Sequence, residues 1–381
     1  MAGQVPSIPG VKAPPYAAKE IFQQVAKLLG RSSYGFPGAQ PVSFTRKHLS
    51  ETLEKEDYFV CEKSDGLRCL MFLCLHEGEE KCYMLTRKSE VYFIPNMHVP
   101  LKVGDWESFH SQGTLIDGEL VLTNSGKIKY LMFDMLLSNG KVVTDRFLDN
   151  RLGYLQNTVY KTFSELCHKF PADTAVFPFT LKMKRMELSY GIPRVLEEKN
   201  DHVSDGLIFT SRTAPYIAGT DPHILKWKPE EENSVDFVLK LEFILFKDTN
   251  GEEWYDYDSM PTLDLLAWNS GSNDKFYAKL FLEPQEWEDL KALNEPLNDR
   301  VVECYMDTKK RWRYLRFRDD KDHGNHISVV ESVIESITDH VTKQDLINSC
   351  PAIREAWHER DRENKKRTTG ESNIQKRPKN E

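Results

Sequence analysis

Residues 58–75 read YFVCEKSDGLRCLMFLCL. Two apolar runs flank Asp65-Gly66, a dipeptide that favours a tight turn. The stretch predicts strand, turn, strand. Lys63 lies at the end of the first run. Residues two apart on a strand face one way, so Lys63 and Asp65 share a face if the strand continues that far. A lysine amine attacks a phosphorus or carbonyl centre only when unprotonated, and a free amine with a pKa near ~10.4 is almost wholly protonated at neutral pH. Neighbouring cations or desolvation must lower that value before the amine serves as a nucleophile. Taken alone, K-x-D-G fits a solvated surface turn better than a reactive lysine.

Working outward, residues 113–123 (GTLIDGELVLT), 130–137 (YLMFDMLL), 206–211 (GLIFTS) and 223–228 (HILKWK) read as further strands. Residues 18–29 place Ile21, Val25 and Leu28 near helical spacing, with Gly30 as a stop. A sheet-rich core with helices between is expected over about 15–230. The polar run Pro229 to Asn233 reads as a linker. Beyond it, VDFVLKLEFILF (235–246) alternates cleanly, and 276–284, 300–308 and 311–320 continue as strands. About five strands in roughly 90 residues fit a small barrel of the OB type or a plain antiparallel sheet. Ile327, Val330, Ile334, Ile337 and Val341 predict an amphipathic helix packed back on the first domain. Thr342 to Asp345 has capping-box form and opens a last helix ending near Trp357. Residues 364–379 carry six Lys or Arg against one Glu, so 359–381 reads as a disordered basic tail. The domains are then 1–232, 233–326, 327–358 for the C-terminal helices, and the tail.

At 381 residues the chain suits two domains, and 40% hydrophobic content with 11% aromatic predicts a packed globular protein. The net charge of −8 argues against non-specific wrapping of nucleic acid, though not against a local basic cleft. The seven cysteines are odd in number and contain no C-x-x-C pair. They read as buried, reduced thiols. His323 and His326 have no cysteine beside them, which makes a zinc site a poor expectation. The longest apolar run, Cys69 to Leu75, is too short to cross a bilayer. The first residues, Met1 to Gln4, carry no secretory pattern. No G-x-x-x-x-G-K-[ST] loop occurs.

The rest of the chain supplies what a nucleophilic lysine needs. Asp117-Gly118-Glu119 lies inside an apolar strand, and Asp205-Gly206 opens another. Acids inside buried strands are costly unless they hold a metal, a cation or a ligand. Hard oxygens of this kind suit Mg²⁺ or Mn²⁺ bridging phosphates, and a salt bridge to a structural Arg fits them equally. Lys226 and Lys228 point to one face. Arg316, Arg318 and Lys321 cluster. Cations of this kind stabilise a transferring phosphoryl group, although each Lys taken singly also fits a solvated face. Phe133, before Asp134, offers a ring for stacking on a purine or a core side chain.

In order these segments are K-x-D-G, D-G-E, F-D, D-G-L-I-F, L-K-W-K and R-x-D-K, over residues 63 to 325. The series resembles the covalent nucleotidyltransferases: capping enzymes, DNA ligases and RNA ligases. YFVCEKSDGLRCLMF, PFTLKMKRMELSYG (178–191), SDGLIFTSRTAPYIAGTDPHILKWKP and WRYLRFRDDKDHGNH are similar to the fungal-type mRNA guanylyltransferases, over residues 15 to 345. Ser64 stands where Thr is common.

The resemblance implies an α+β fold. It consists of a nucleotidyltransferase domain of antiparallel sheets with flanking helices, of the ATP-grasp-like ligase and capping type, and a C-terminal OB-fold domain. It implies that Lys63 forms a phosphoramidate with GMP and passes it to the 5′-diphosphate end of nascent mRNA. Arg68 would lie beside Lys63, Arg87 and Glu119 would contact the ribose, and Phe133 would stack on guanine. Lys184 would read guanine O6, with Lys182 as the alternative. Asp205 would hold the metal, Mg²⁺ or Mn²⁺. Lys226 and Lys228 would hold the α-phosphate, and Arg318, Asp320 and Lys321 would grip the β and γ phosphates when the cleft closes. It further implies GTP as substrate, a separate RNA 5′-triphosphatase subunit, docking on the phosphorylated C-terminal tail of RNA polymerase II, a nuclear location and no membrane. Arg146, Arg151 and Lys161 form a basic stretch that is a candidate for the docking surface.

Overall fold

The computed structural model describes residues 6–229, 233–247, 249–257, 259–271, 273–339 and 341–374. Residues 1–5, most of the acidic linker and residues 375–381 lie outside that set.

Both runs of 58–75 are strands, Tyr58–Ser64 and Leu67–His76. They do not pair with each other but enter different sheets. The reason is at Gly66, where a Cβ would sit 2.3 Å from the Leu120 carbonyl oxygen. The chain turns its corner flush against the strand Thr114–Leu122, where only glycine fits. The strand ends at Ser64, and the Asp65 amide instead donates to the Val203 carbonyl at 2.9 Å. The shared face expected for Lys63 and Asp65 is therefore not formed.

The larger sheet runs Val11–Lys12, Val91–Phe93, Glu79–Thr86, Leu67–His76, Thr114–Leu122, Ile128–Ser138 and Thr180–Met183, with Lys141–Val142 beside Ile128–Ser138. Its pairing is antiparallel except at Thr180–Met183. The second sheet runs Glu187–Leu188, Tyr58–Ser64, Ser204–Ser211, Gly219–Trp227 and Ala39–Ser43.

The unbroken apolar run in Leu67–His76 has a physical cause. Cys69, Met71 and Leu73 pack on one side with Leu155, Val159 and Phe163 of the helical stretch after residue 148. Leu70, Phe72 and Cys74 pack on the other with Ile21, Phe22 and Val25. A strand covered on both faces reads as continuous rather than alternating. The first helix spans Pro15–Leu28, beginning three residues before the stretch 18–29. Proline in a first turn costs no hydrogen bond.

The chain divides into two compact units, residues 1–227 with 343–381, and residues 228–342. In the second unit, Ser234–Glu242, Thr262–Trp268, Asp274–Phe281, Trp312–Phe317 and Val301–Met306 form a closed barrel, which excludes the plain sheet. The alternating run 235–246 breaks at Phe243. Its second part, Ile244–Lys247, forms a separate hairpin with Glu253–Asp256.

The structure corrects two expectations at the C-terminus. The helix Ile327–Thr338 belongs with the barrel rather than with the first unit; Val330 enters the barrel core, with Val333 and Ile334 against it. The next helix does pack within the first unit, but it runs Lys343–Ile374, far past Trp357. Residues 359–374 are therefore helical rather than a disordered tail. Arg360 donates to Asp57 Oδ1 at 2.9 Å and to the Glu54 carbonyl, and Lys365 pairs with Asp361 one turn back at 2.7 Å.

Candidate active site

The two sheets of the first unit meet where Arg68 of the larger sheet donates to the Ala39 carbonyl of the second. From the second sheet, Lys63 extends its amine to Asp205 Oδ1 at 2.6 Å. Asp205 sits near the start of Ser204–Ser211, beside a break in register with Tyr58–Ser64. Glu119 comes from the larger sheet. Burial raises its pKa, while Lys184, Lys63 and Arg68 favour its charged form and Asp205 opposes it.

Arg68 is fixed more tightly. Its Nε donates to Asp117 Oδ1 at 3.0 Å, Nη2 to Asp117 Oδ2 at 2.5 Å, and Nη1 to the Ala39 carbonyl. Tyr216 donates to the same Asp117 at 2.5 Å and accepts from the Ala39 amide at 2.8 Å. Burial opposes the Arg68 charge, but Asp117 and Tyr216 more than offset it and its pKa is raised. For Asp117, then, the salt bridge to an Arg is the correct reading. The Arg68 guanidinium also lies 5.5 Å from the centre of the Phe133 ring. Gly118 lets this sheet close, because a Cβ there would lie 2.5 Å from the Tyr130 ring.

Phe133 is half-buried, with the Lys184 amine 5.7 Å from its ring centre. Lys184 itself is buried and donates to Ser64 Oγ at 2.7 Å. Lys182 is exposed, its amine 6.0 Å from the centre of the Tyr160 ring. The structure thus brings Lys184, and not Lys182, to the ring and the lysine strand.

Arg87 follows the strand Glu79–Thr86 and keeps part of its surface open to solvent, while desolvation of its guanidinium and the Arg68 charge lower its pKa against the pull of Asp117 and Glu119. Lys226 lies on Gly219–Trp227, half-buried and opposite Ile208. Lys228 is the first residue of the second unit. Within that unit, Arg318 pairs with Asp320 at 2.8 Å, Asp236 at 3.3 Å and Glu303 at 3.5 Å. Lys321 pairs with Asp236, and Arg316 with Glu303 at 2.6 Å. The hydrogen bond from Arg318 pulls the Asp320 carboxyl down to about 2.

Arg151 is corrected as a docking residue. It is 2% exposed and forms a buried bidentate pair with Asp134 at 2.7 and 2.9 Å. Arg146 is exposed, and so is Lys161. All seven cysteines are free, and burial pushes the Cys61 thiol up to about 12. Among the described residues, no group of three His, Cys, Asp or Glu side chains is placed to hold a metal, and no helix is long and apolar enough to cross a membrane. The sequence reading missed Tyr216, Glu62 and His202. Glu62 was within sight, since it adjoins Lys63.

Residues 4–230 match the model of the mRNA capping enzyme catalytic domain, and residues 232–347 match that of the mRNA capping enzyme C-terminal domain. This chain belongs to the mRNA capping enzyme family. It is an mRNA guanylyltransferase, and hence a nucleotidyltransferase. The mRNA-capping enzyme subunit alpha of Yarrowia lipolytica is 47% identical over 384 residues, covering 97% of each chain. That of Neurospora crassa is 47% identical over 375 residues, covering 92% of each, and that of Schizosaccharomyces pombe 43% over 364 residues, covering 93% of this chain and 89% of the relative. Among solved structures, a mycobacterial DNA ligase D complexed with ATP and MES aligns over 74% of this chain and 95% of its own, at 13% identity and a TM-score of 0.39. That likeness is too loose to carry an argument about the guanylyltransferase.

Proposed function

We propose that Lys63 is the residue through which this guanylyltransferase carries GMP. The observation behind this reading is the Lys63 amine, 2.6 Å from Asp205, set beside Glu119 and the Phe133–Lys184 pair. In the first step the Lys63 nitrogen attacks the α-phosphorus of GTP. The bond to the β-phosphate breaks, pyrophosphate leaves with the electron pair, and the nitrogen gives up its proton. In the second step a terminal oxygen of 5′-diphosphate RNA attacks the same phosphorus. The P–N bond breaks and the lysine nitrogen regains a proton. Splitting one difficult transfer in two is the advantage of a covalent intermediate.

The remaining roles follow from placement and from the resemblance. Phe133 stacks on guanine and Lys184 meets its O6. Arg68, held rigid by Asp117, lies beside the nucleophile. Arg87 and Glu119 take the ribose. Lys226 and Lys228 take the α-phosphate. Arg318, Asp320 and Lys321 act on the leaving pyrophosphate, a role that rests on the resemblance alone. Asp205 and Glu119 offer hard oxygens, and an ion such as Mg²⁺ commonly uses one or two carboxylates plus substrate phosphates. A divalent ion, Mg²⁺ or Mn²⁺, would supply charge neutralisation at the triphosphate.

The relatives are named as alpha subunits, which supports a partner subunit for this chain; we infer an RNA 5′-triphosphatase. Docking on the phosphorylated tail of RNA polymerase II and a nuclear location follow from the same resemblance.

The test is labelling with α-labelled GTP or ATP and a divalent metal. Wild type acquires label from GTP, and Lys63→Ala acquires none. Label from ATP alone overturns the guanylyl reading, and an adduct persisting in Lys63→Ala moves the nucleophile elsewhere.

A further inference from the structure

Behind the Lys184 amine lies a polar cluster that the reaction as described does not use. Lys184 donates to Ser64 Oγ at 2.7 Å, and its amine is 3.7 Å from Glu62 Oε1. Ser64 Oγ donates to Glu62 Oε1 at 3.4 Å. The His202 ring nitrogen Nε2 lies 3.5 Å from Glu62 Oε1 and 3.4 Å from Ser64 Oγ, and Nδ1 lies 3.4 Å from Asp201 Oδ1. All of these side chains except Asp201 are nearly closed to solvent: Lys184 is 4% exposed, His202 6% and Glu62 10%.

A buried carboxylate is expensive to maintain, and its partners say what it is for. Burial pushes Glu62 toward its neutral form, but the His202 hydrogen bond and the Lys184 charge win, and its pKa is lowered. Glu62 is therefore charged in the folded protein. Lys184 has three N–H donors and no acceptor. One donor goes to Ser64 and a second is drawn toward Glu62. The amine is then fixed near the Phe133 ring, with donor capacity left for a base stacked there. A fixed donor matches the acceptor O6 of guanine and opposes the N6 amino group of adenine. Without the carboxylate behind it, a four-carbon side chain has rotamers to spare.

We infer that Glu62 and His202 form a positioning pair that, with Ser64, aims the Lys184 amine at the base edge and so sets the preference for guanine over purines that lack O6. Neither residue touches substrate; both act through Lys184 and Ser64. The inference rests on the reading of Phe133 and Lys184 as the base pocket.

The experiment uses the full chain and compares covalent labelling with GTP, ITP, ATP and 2-aminopurine riboside triphosphate. ITP keeps O6 and loses only the 2-amino group, whereas 2-aminopurine lacks O6. In Glu62→Gln and in His202→Asn, the preference for GTP over ATP and over the 2-aminopurine nucleotide falls by about tenfold. ITP keeps pace with GTP, and the labelling rate at saturating GTP changes by less than about twofold. Loss of selectivity therefore appears in KM rather than kcat. If Glu62→Gln does not fold, His202→Asn decides the matter from the other side of the cluster. Folded variants that retain wild-type selectivity overturn the inference while leaving the base pocket intact. So does an equal fall in labelling rate with every nucleotide at unchanged KM. A wild-type enzyme with no purine preference overturns the base-pocket reading itself, and the inference with it.

Discussion

Asp117 and Asp205 look alike in the sequence. Each precedes a glycine and each sits in an apolar strand. In the fold they do different work. Asp117 is sealed off, accepting from both Arg68 and Tyr216, while Asp205 meets the Lys63 amine. The cost of a buried acid is legible in one dimension, but its partner is not, because Tyr216 is 99 residues away from Asp117. The same limit hid His202, 138 residues from Ser64. Lys184 and Lys182 could not be separated by sequence because both are lysines on one edge; burial separates them. His110 gives a prediction at this scale. It is 1% exposed, its Nε2 has no hydrogen-bond partner among the described residues, and burial lowers its pKa to about 3. The folded pKa lies below the unfolded value of about 6.5, so the unfolded chain binds the proton better. This contribution to stability is present above pH 6.5 and lost as pH falls toward 3, by up to about 1.4 kcal/mol per pH unit. Urea midpoints measured between pH 7.5 and 5 should fall more steeply in wild type than in His110→Gln, a range of about two and a half units that spans the unfolded pKa. Equal slopes would refute this assignment.

At the level of elements, periodicity succeeded where a strand or helix buries an apolar face and failed elsewhere. Thr262–Trp268 alternates Leu263, Leu265 and Ala267 into the barrel, yet Leu266 and Trp268 on its other face blur the period of two in the sequence. The Asp65-Gly66 turn was correctly placed, but no local signal says whether a turn returns a strand to its neighbour or sends it to another sheet. That depends on the Leu120 carbonyl passing within touching distance of Gly66. The last helix shows the opposite failure. Its second half is poor in apolar residues, so composition points to disorder, while the Arg360 anchor and the Asp361–Lys365 pair one turn apart carry the helix onward. The anchor on Asp57 is at Arg360, ahead of residue 364. Deleting 364–381 should therefore leave GMP labelling within about twofold of the full chain, since exposed i,i+4 pairs contribute only about 0.3–0.5 kcal/mol. A large loss of labelling in that truncation would give the terminal segment a part in the reaction.

On the scale of the whole molecule, the division into two domains was legible from the break near residue 230. The return of the chain was not: residues 343–381 rejoin the first unit, making 228–342 an insertion. Arg318 belongs to that insertion and is 19% exposed, engaged with Asp236, Glu303 and Asp320. If its role is in the first step, Arg318→Ala should slow adduct formation by roughly tenfold to a hundredfold. Transfer of GMP from a preformed adduct to diphosphate RNA should proceed at the wild-type rate. Full-speed adduct formation in a variant with an unchanged melting profile would remove Arg318 from the mechanism. The insertion also bears on how the protein is made. A ribosome releases residues in order, and domains generally fold as units. The barrel, contiguous in sequence, is complete when residue 342 emerges, while the larger unit still waits for Leu346, Ile353 and Arg360 to cover its surface. The part begun first is finished last, and a nascent chain halted at residue 342 carries a finished barrel on an unfinished catalytic unit.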